Sequence, residues 1–476
     1  MIAKGTDNGT IVLDVGKTNA KLSLWDAGGR LIDRRVRANA PQRTDHYRSL
    51  DTAGIEAWLF DTLTAFAARG QVRRIVPVGH GAAAALVRGD RLFAAPMDYE
   101  EPAAAGDREA YAAGRDPFAA TGSPFLPGAL NLGLQLHLLE KYHGTLPDDV
   151  TIIPWPQYWA WRLCGIAAAE VTSLGCHSDL WLPAGAGFSA LAAARGWAER
   201  IAPLRRADEV LGTLRPGVVA ATGLPRDCEV LCGLHDSNAA LLAARGHPEI
   251  ERHDATVLST GTWFVAMRLA RSAAALDTLR LDEARDCLVN VDVQGRPVPS
   301  ARFMGGREAE LAGGVDAFAP AHGLEPDSLE RRLPGLVAEA IAAAPSFVRG
   351  VGPYPGAAGH WIVPPGTAID RRIATSLYLA LMADTTLGLV GARERLLVEG
   401  RFAEDPLFVR TLASLRPAGQ VYVANAHTDV AYGALRLVHP DLPAPAALER
   451  VRPLDVDLAG YAADWRRRAD AAEAAA

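Results

Sequence analysis

The sequence predicts an α/β protein of two domains, and three observations predict it. The chain has 476 residues, too many for one ordinary core; at about 150 residues per domain it holds two large domains or three medium ones. Short apolar runs of strand character alternate with stretches whose apolar residues recur at helical spacing. The opening pattern, an apolar strand leading into a turn of small residues, restarts in the second half. That restart puts the division near Ala240–Glu251 and the domains at 1–243 and 244–476.

Ile11–Val15 reads as a buried strand. Ala20, Leu22 and Leu24 then alternate with Lys21, Ser23 and Trp25, and Gly28-Gly29 turns the chain into Leu31–Val36, a three-strand meander. A helix is expected over Ile55–Ala68, then a strand, Arg74–Val78, ending in Gly79-His80-Gly81. Ala84–Val87 and Arg91–Ala94 form a hairpin around Gly89-Asp90. Helical spacing marks Gly128–His143 and Gln157–Leu163. The strand Glu229–Leu231, with Cys228 and Cys232 on it, runs through Gly233-Leu234-His235-Asp236 into a helix ending at Ala243. Ala255–Leu258 is again an apolar strand, closing at Ser259-Thr260-Gly261-Thr262. The last third carries a helix Ile373–Arg395, a strand Leu396–Glu399 before Gly400, a helix Pro406–Leu415, a strand Gln420–Ala424 and a helix Asp429–Val438. The Ala469–Ala476 tail reads as a frayed helix end.

Apolar residues are 49% of the chain and charged residues 22%, a globular balance. The net charge of −6 argues against a nucleic-acid partner, which needs a basic face. It leaves anionic ligands open, because backbone amides bind phosphate without a basic protein. The five cysteines include no CxxC and are expected to be reduced thiols of a cytoplasmic protein. The start of the chain has no apolar signal core, and the longest stretch without acidic or basic residues, 117–139, is broken by Pro, Gly and Asn, so no membrane partner is expected.

Gly16-Lys17-Thr18 looks like the end of a phosphate-binding P-loop. That loop needs glycine at position 11, where Ile11 stands, and a helix after Thr18, where Ala20–Trp25 alternates as a strand. The alternative is a β-hairpin whose turn amides make an anion-binding concavity, with Asp14 beside it to hold a metal ion. On this stretch alone an ordinary hairpin, with Gly and Asn at its turn, is the favoured reading. The stretch Val257–Trp263, "VLSTGTW", is a second such turn, and two of them suit a polyphosphate. Asp236 stands where a strand meets a helix; it is either an N-cap or a base that orients a substrate hydroxyl during phosphoryl transfer.

Asp14-Val-Gly-Lys-Thr-Asn19, Gly233-Leu-His-Asp236, Ser259-Thr-Gly-Thr-Trp263 and the strand–Gly400–helix occur in the order found in FGGY carbohydrate kinases. From Ile11 to Val438 the chain resembles that family, and most of all its rhamnulokinase and fuculokinase side, where a His precedes the catalytic Asp as His235 does here. The resemblance implies two actin-like, ribonuclease H-like ATPase domains with an active-site cleft between them. It implies ATP and Mg²⁺ as cofactors and a small sugar as substrate; homodimer formation is compatible with it. Carried over, Asp236 is the catalytic base, and Asp14 and Asp236 lie on the metal side. Gly16, Lys17, Thr18 and Asn19 form the first phosphate turn, and Thr260, Gly261 and Thr262 the second. Asn290 and Gly400 meet the nucleoside. Sugar contacts fall to His80, Gly81, Asp98, Gln157 and His235. The family's glycine run before the adenine-side helix is here Val398-Glu399-Gly400-Arg401, and the segment at Gln157 commonly has Asp. The implied activity is phosphorylation of a terminal hydroxyl of a ketose such as L-fuculose or L-rhamnulose. A kinase for a pentulose, glycerol or another polyol, and an actin-like sensor without transferase activity, are the alternatives.

Four features carry other meanings. "GAGFSA", 185–190, imitates a dinucleotide fingerprint but follows a poor strand interrupted by Pro183. Trp155, Tyr158, Trp159 and Trp161 suggest a sugar-stacking platform, but at helical spacing only some share a face, and core packing is the better reading for most of them. His177 and His427 are read as structural, and "WRRRAD", 465–470, as a solvated helix face.

Overall fold

The computed structural model describes residues 6–272, 281–314, 326–424, 430–444 and 446–476. The chain forms two compact units. One comprises Met1–Ala243 with Val289–Pro297 and Asp429–Pro443, the other Ala244–Leu288 with Val298–Thr428 and Ala444–Ala476.

In the first unit a mixed sheet runs in the order Val210–Thr213, Glu229–Leu231, Gly70–Gly79, Thr6–Val15, Asn19–Trp25, Leu31–Ala38. Thr6–Val15, Gly70–Gly79, Glu229–Leu231 and the short strand Leu234–His235 are mutually parallel, while the meander after Val15 is antiparallel. Alternation sorts the first strand between two cores. Ile11, Leu13 and Val15 enter the cluster that holds Leu59, Leu63 and Trp159. Val12 enters the cluster of Val76, Val78, Leu234, Ala239, Tyr432 and Leu435. A strand buried on both faces reads as an unbroken apolar run, and that is why Ile11–Val15 shows no polar alternation until Asp14. The helix Thr52–Ala67 starts where Asp51 accepts from Gly54 N–H at 2.9 Å and buries Ile55, Leu59, Leu63 and Phe66. The hairpin Ala84–Arg88/Arg91–Ala94 forms as expected and pairs with Val150–Pro154.

The second unit repeats the scheme. Its sheet includes, in order, Pro297–Phe303, Phe264–Leu269, Ala255–Thr260, Arg395–Gly400, Gln420–Ala424 and Leu448–Arg450. Ala255–Thr260, Arg395–Gly400 and Gln420–Ala424 are parallel, and Ala255–Thr260 turns back antiparallel into Phe264–Leu269. The helix Pro406–Leu415 and the strand Gln420–Ala424 lie where the sequence places them.

Several expectations need correction. The long helix is Ala368–Leu389, not 373–395, because Gly391 adopts φ 68° and the chain closes with Ala392 N–H on Leu387 O at 2.9 Å. The helix before His143 starts at Leu132, and Cys228 and Cys232 flank the strand Glu229–Leu231 without belonging to it. The tail is not frayed. The helix Ala459–Ala474 buries Ala462, Trp465 and Ala469, Trp465 donates to Ala343 O at 2.7 Å, and Glu473 accepts from Gly356 N–H at 3.0 Å. Trp465 is therefore core, while Arg467 and Arg468 bond to Asp464 within the helix. "GAGFSA" closes a small hairpin, Trp181–Leu182 with Gly187–Phe188, before a short helix, Ala190–Ala194. Trp155, Tyr158, Trp159 and Trp161 are all buried. His177 directs Nδ1 to Leu130 O at 3.1 Å, and His427 and Asp429 lie outside the described residues. Among the described residues no helix is long and apolar enough to cross a membrane.

Candidate active site

Register aligns the ends of three parallel strands in the first unit. Val15 pairs with Gly79, and Gly79 with His235, so Asp14, His80 and Asp236 emerge along one carboxyl edge. Ligands of open α/β sheets bind at such edges. The strands bearing Asp14 and Asp236 are two spacings apart, roughly 10 Å.

Gly233 makes the placement of Asp236 feasible. Its φ is 78°, and a Cβ there would lie 2.0 Å from Pro77 O, so only glycine lets Leu234–His235 close onto the strand Gly70–Gly79. Gln157, fully buried, braces the same turn by donating to Cys232 O at 3.3 Å and Gly233 O at 3.1 Å. Asp236 then opens the helix Asp236–Ala244. Its Oδ1 accepts from Ser237 N–H at 2.6 Å and Ser237 Oγ at 3.2 Å, and its side chain is 31% exposed. A helix cap bonds further along the first turn, so this carboxylate is not acting as an ordinary N-cap.

His235 Nε2 lies 3.1 Å from Asp236 Oδ1 and 3.7 Å from Cys176 Sγ. Burial disfavours charge on this imidazole, but Cys176 and Asp236 outweigh it and push its pKa up to about 9. Burial likewise opposes a thiolate at Cys176, yet His177 and His235 hold that thiol below its ordinary range. Glu170 completes the cluster. Its Oε2 accepts from Thr172 N–H at 3.0 Å and from Thr172 Oγ1, while Thr172 Oγ1 accepts from His235 N–H at 3.0 Å. Burial raises Glu170 to about 7.

His80 donates its N–H to Val15 O at 3.3 Å and sets Nδ1 2.8 Å from Gly81 O, and its buried Nε2 has no partner among the described residues. Burial lowers its pKa and keeps the ring neutral. A Cβ on Gly81 would reach Cys176 Sγ at 2.8 Å and His235 Nε2 at 2.9 Å, so this glycine makes room for the Cys–His contact. The hairpin turn Gly16–Asn19 is held by Asn39, whose Nδ2 donates to Gly16 O at 2.9 Å and whose N–H donates to Thr18 O at 2.8 Å. Asp14 is 6% exposed, with Lys21 Nζ 3.7 Å away. Asp98 is fully buried and bonds to Lys17 and to Glu100 N–H. Asn290 lies on a first-unit segment that packs Val289 on Gly122 and Val291 on Gly175.

In the second unit Thr260 pairs with Gly400. The Thr260 hydroxyl donates to Glu399 O and accepts from Phe402 N–H at 3.1 Å, which commits it to joining the strand ends. Gly400 has φ 85°, and a Cβ there would lie 2.2 Å from Thr260 O. Gly261 and Thr262 form the hairpin turn proper, with Thr262 exposed. Gly306, in the first turn of the helix Gly305–Gly313, donates to Thr262 O at 3.2 Å and would collide through any Cβ with Gly261 O at 2.5 Å. A cavity of about 1030 Å³ opens at the carboxyl ends of Arg395–Gly400 and Gln420–Ala424, lined by Glu399, Gly400, Ala403, Val423, Ala424 and Arg450 among others.

Residues 252–446 match the carbohydrate kinase FGGY C-terminal domain. The crystal structure of a carbohydrate kinase from Novosphingobium aromaticivorans is 49% identical, covering 98% of this chain and 100% of that one with a TM-score of 0.93. The chain belongs to the FGGY carbohydrate kinase family. This kinase also shares its fold with a ligand-bound xylulose kinase from Lactobacillus acidophilus (12% identity, 98% and 96% coverage, TM-score 0.77). The same holds for Plasmodium falciparum glycerol kinase with ADP (9% identity, 98% and 99% coverage, TM-score 0.77). No curated protein sequence matches the chain. Its architecture is accordingly the two-domain actin-like ATPase fold, and its class is that of ATP-using sugar or polyol kinases.

Among the described residues no three His, Cys, Asp or Glu side chains converge as a metal-holding group. Magnesium at phosphates needs only one or two protein carboxylates, with phosphate and water completing its shell. Asp14 and Asp236 on one strand edge fit that demand in this kinase. Cys176, Glu170, Lys21 and the Gly305-Gly306 pair are the site-region residues that sequence reasoning missed. Only the last had a usable signal, two glycines at a strand-to-helix junction.

Proposed function

We propose that this kinase transfers the γ-phosphoryl group of ATP to a terminal hydroxyl of a ketose such as L-fuculose or L-rhamnulose, with Asp236 as general base. One observation carries the reading: Asp236 directly follows the parallel strand Leu234–His235 with Oδ1 held by Ser237 and His235, and no donor among the described residues takes Oδ2. That oxygen accepts the hydroxyl proton. The hydroxyl oxygen bonds to the γ-phosphorus, the bond to the bridging oxygen breaks, and ADP leaves with the electron pair. A loose transition state asks for orientation more than for a strong base, so a carboxylate suffices.

We assign the turn Gly16–Asn19 and the turn Thr260–Thr262 to the phosphates, Asn290 and Gly400 to the nucleoside, and His80, Gly81, Asp98, Gln157 and His235 to the sugar. Mg²⁺, held by Asp14 and Asp236, would neutralise charge on the phosphates. The neutral, unpartnered Nε2 of His80 suits a sugar hydroxyl. Five free cysteines support a reducing, cytoplasmic setting.

The test is ADP release from Mg-ATP across ketoses, aldoses and polyols, with Asp236→Asn alongside. Turnover should require an acceptor and fall about 10²–10⁴-fold in the variant, with ADP binding kept. Near-native turnover by Asp236→Asn would remove Asp236 as the base. Best turnover on glycerol or a pentulose would replace the hexulose assignment, and ATP binding without transfer to any acceptor would favour a sensor.

A further inference from the structure

We infer that the Lys17 side chain fastens the sugar-side loop Asp98–Glu100 to the phosphate turn, and that the turn meets phosphate through its backbone and not through this ammonium. The inference rests on the functional assignments above. Lys17 sits in the middle of the turn, yet its ammonium is taken by three successive residues of one loop. Nζ bonds to Asp98 Oδ2, lies 3.5 Å from Glu100 Oε2 and stands 5.1 Å from the centre of the Tyr99 ring. The Lys17 side chain is only 16% exposed and that of Asp98 is wholly buried.

Burial decides which partner keeps the lysine. Drawing the ammonium away toward a phosphate would leave the Asp98 carboxylate buried without its counter-charge, and breaking a buried pair costs far more than an exposed one. The loop has little freedom to follow, because Asp98 N–H donates to Arg48 O at 2.9 Å and Glu101 Oε2 accepts from Arg48 N–H at 2.8 Å. Tyr99 meets His80 edge-to-face at 5.4 Å, so the loop's position also sets the wall beside His80. Nucleotide on the turn and sugar beside the loop therefore act on one linked element. Any change that nucleotide makes in affinity for the sugar is matched by an equal change in the other direction.

Hydrogen exchange on the full chain, with Mg-ADP as probe, tests the tether. In the wild type Mg-ADP should slow exchange at amides 98–101. In Lys17→Met these amides should exchange about tenfold faster without ligand and stop responding to Mg-ADP. Affinity for Mg-ADP should stay within about threefold, against the roughly tenfold or greater loss expected of a phosphate-binding lysine. Unchanged loop exchange, or Mg-ADP binding weakened more than tenfold, would overturn the tether. If Lys17→Met fails to fold, Lys17→Met/Asp98→Asn removes both charges together and should fold. A retained loop response to Mg-ADP in that double variant would also overturn it. If the wild type binds no Mg-ADP, the functional assignment falls, while the ligand-free exchange rates still decide the tether.

Discussion

His235 Nε2 lies 3.1 Å from Asp236 Oδ1, placing an imidazole against the same carboxylate oxygen that Ser237 holds. The contact arises because both residues follow Gly233, the one residue type that allows the strand to pass under Pro77 O. Cys176 Sγ lies 3.7 Å from the same imidazole nitrogen. Asp236 is thus held by a buried, charge-bearing neighbour and by Ser237, not as a helix cap.

Cys176→Ala removes one of the charges that raise His235. Burial, the opposing influence, remains, so His235 should titrate below its value of about 9. Following the ring by NMR through a pH titration checks this, and an unmoved midpoint would show that Cys176 exerts no electrostatic hold.

Glu170→Gln should change how stability depends on pH. Burial raises the folded pKa to about 7 from 4.5, so the native state binds this proton more tightly than the unfolded chain. The stabilisation is complete below about pH 4.5 and is lost as pH rises through about 7, amounting to at most about 3 kcal/mol. Glutamine keeps an acceptor for Thr172 and has nothing to ionise. The variant's Tm advantage over wild type should therefore grow from pH 5 to pH 8, and a constant difference would refute the argument.

Gly233→Ala should destabilise the fold and remove activity together. The left-handed conformation costs an alanine about 1–2 kcal/mol, and the 2.0 Å approach to Pro77 O adds roughly 1–3 kcal/mol. Denaturant unfolding reads the first loss and ADP release the second. A variant as stable as wild type would mean the strand Leu234–His235 does not need this path.

Asp14→Asn should raise the Mg²⁺ concentration giving half-maximal turnover by about tenfold or more, the effect of losing one charged ligand contact of roughly 1.5–3 kcal/mol. Binding of ADP without metal should change little. An unaltered Mg²⁺ requirement would free Asp14 from the metal side.

Much of the fold was legible because its signals are local. Pro406–Leu415 and Gln420–Ala424 each carry their own periodicity and punctuation, and they appear at the expected residues. The long helix misled because its apolar spacing continues past Leu389, and the stop comes from Gly391 in a closing turn. The tail looked frayed because alanines announce no partner, whereas Ala462, Trp465 and Ala469 are buried and Glu473 bonds back to Gly356. The Cys176–His235 contact joins residues 59 positions apart. No spacing rule foretells it.

Local patterns in the chain were enough for the strand-turn-strand at Asp14, its repeat at Thr260, the position of Asp236 at a strand-to-helix junction and, through these, the resemblance to the kinase family. Each is a short-range pattern that backbone geometry and side-chain alternation enforce without help from distant residues. Tertiary structure alone decided that Lys17 faces Asp98, that His235 is shared by Asp236 and Cys176, and that Asp98 is buried. Those outcomes depend on which strands share a sheet edge and on how far burial strengthens each charge pair, and both are set only when the remote segments pack.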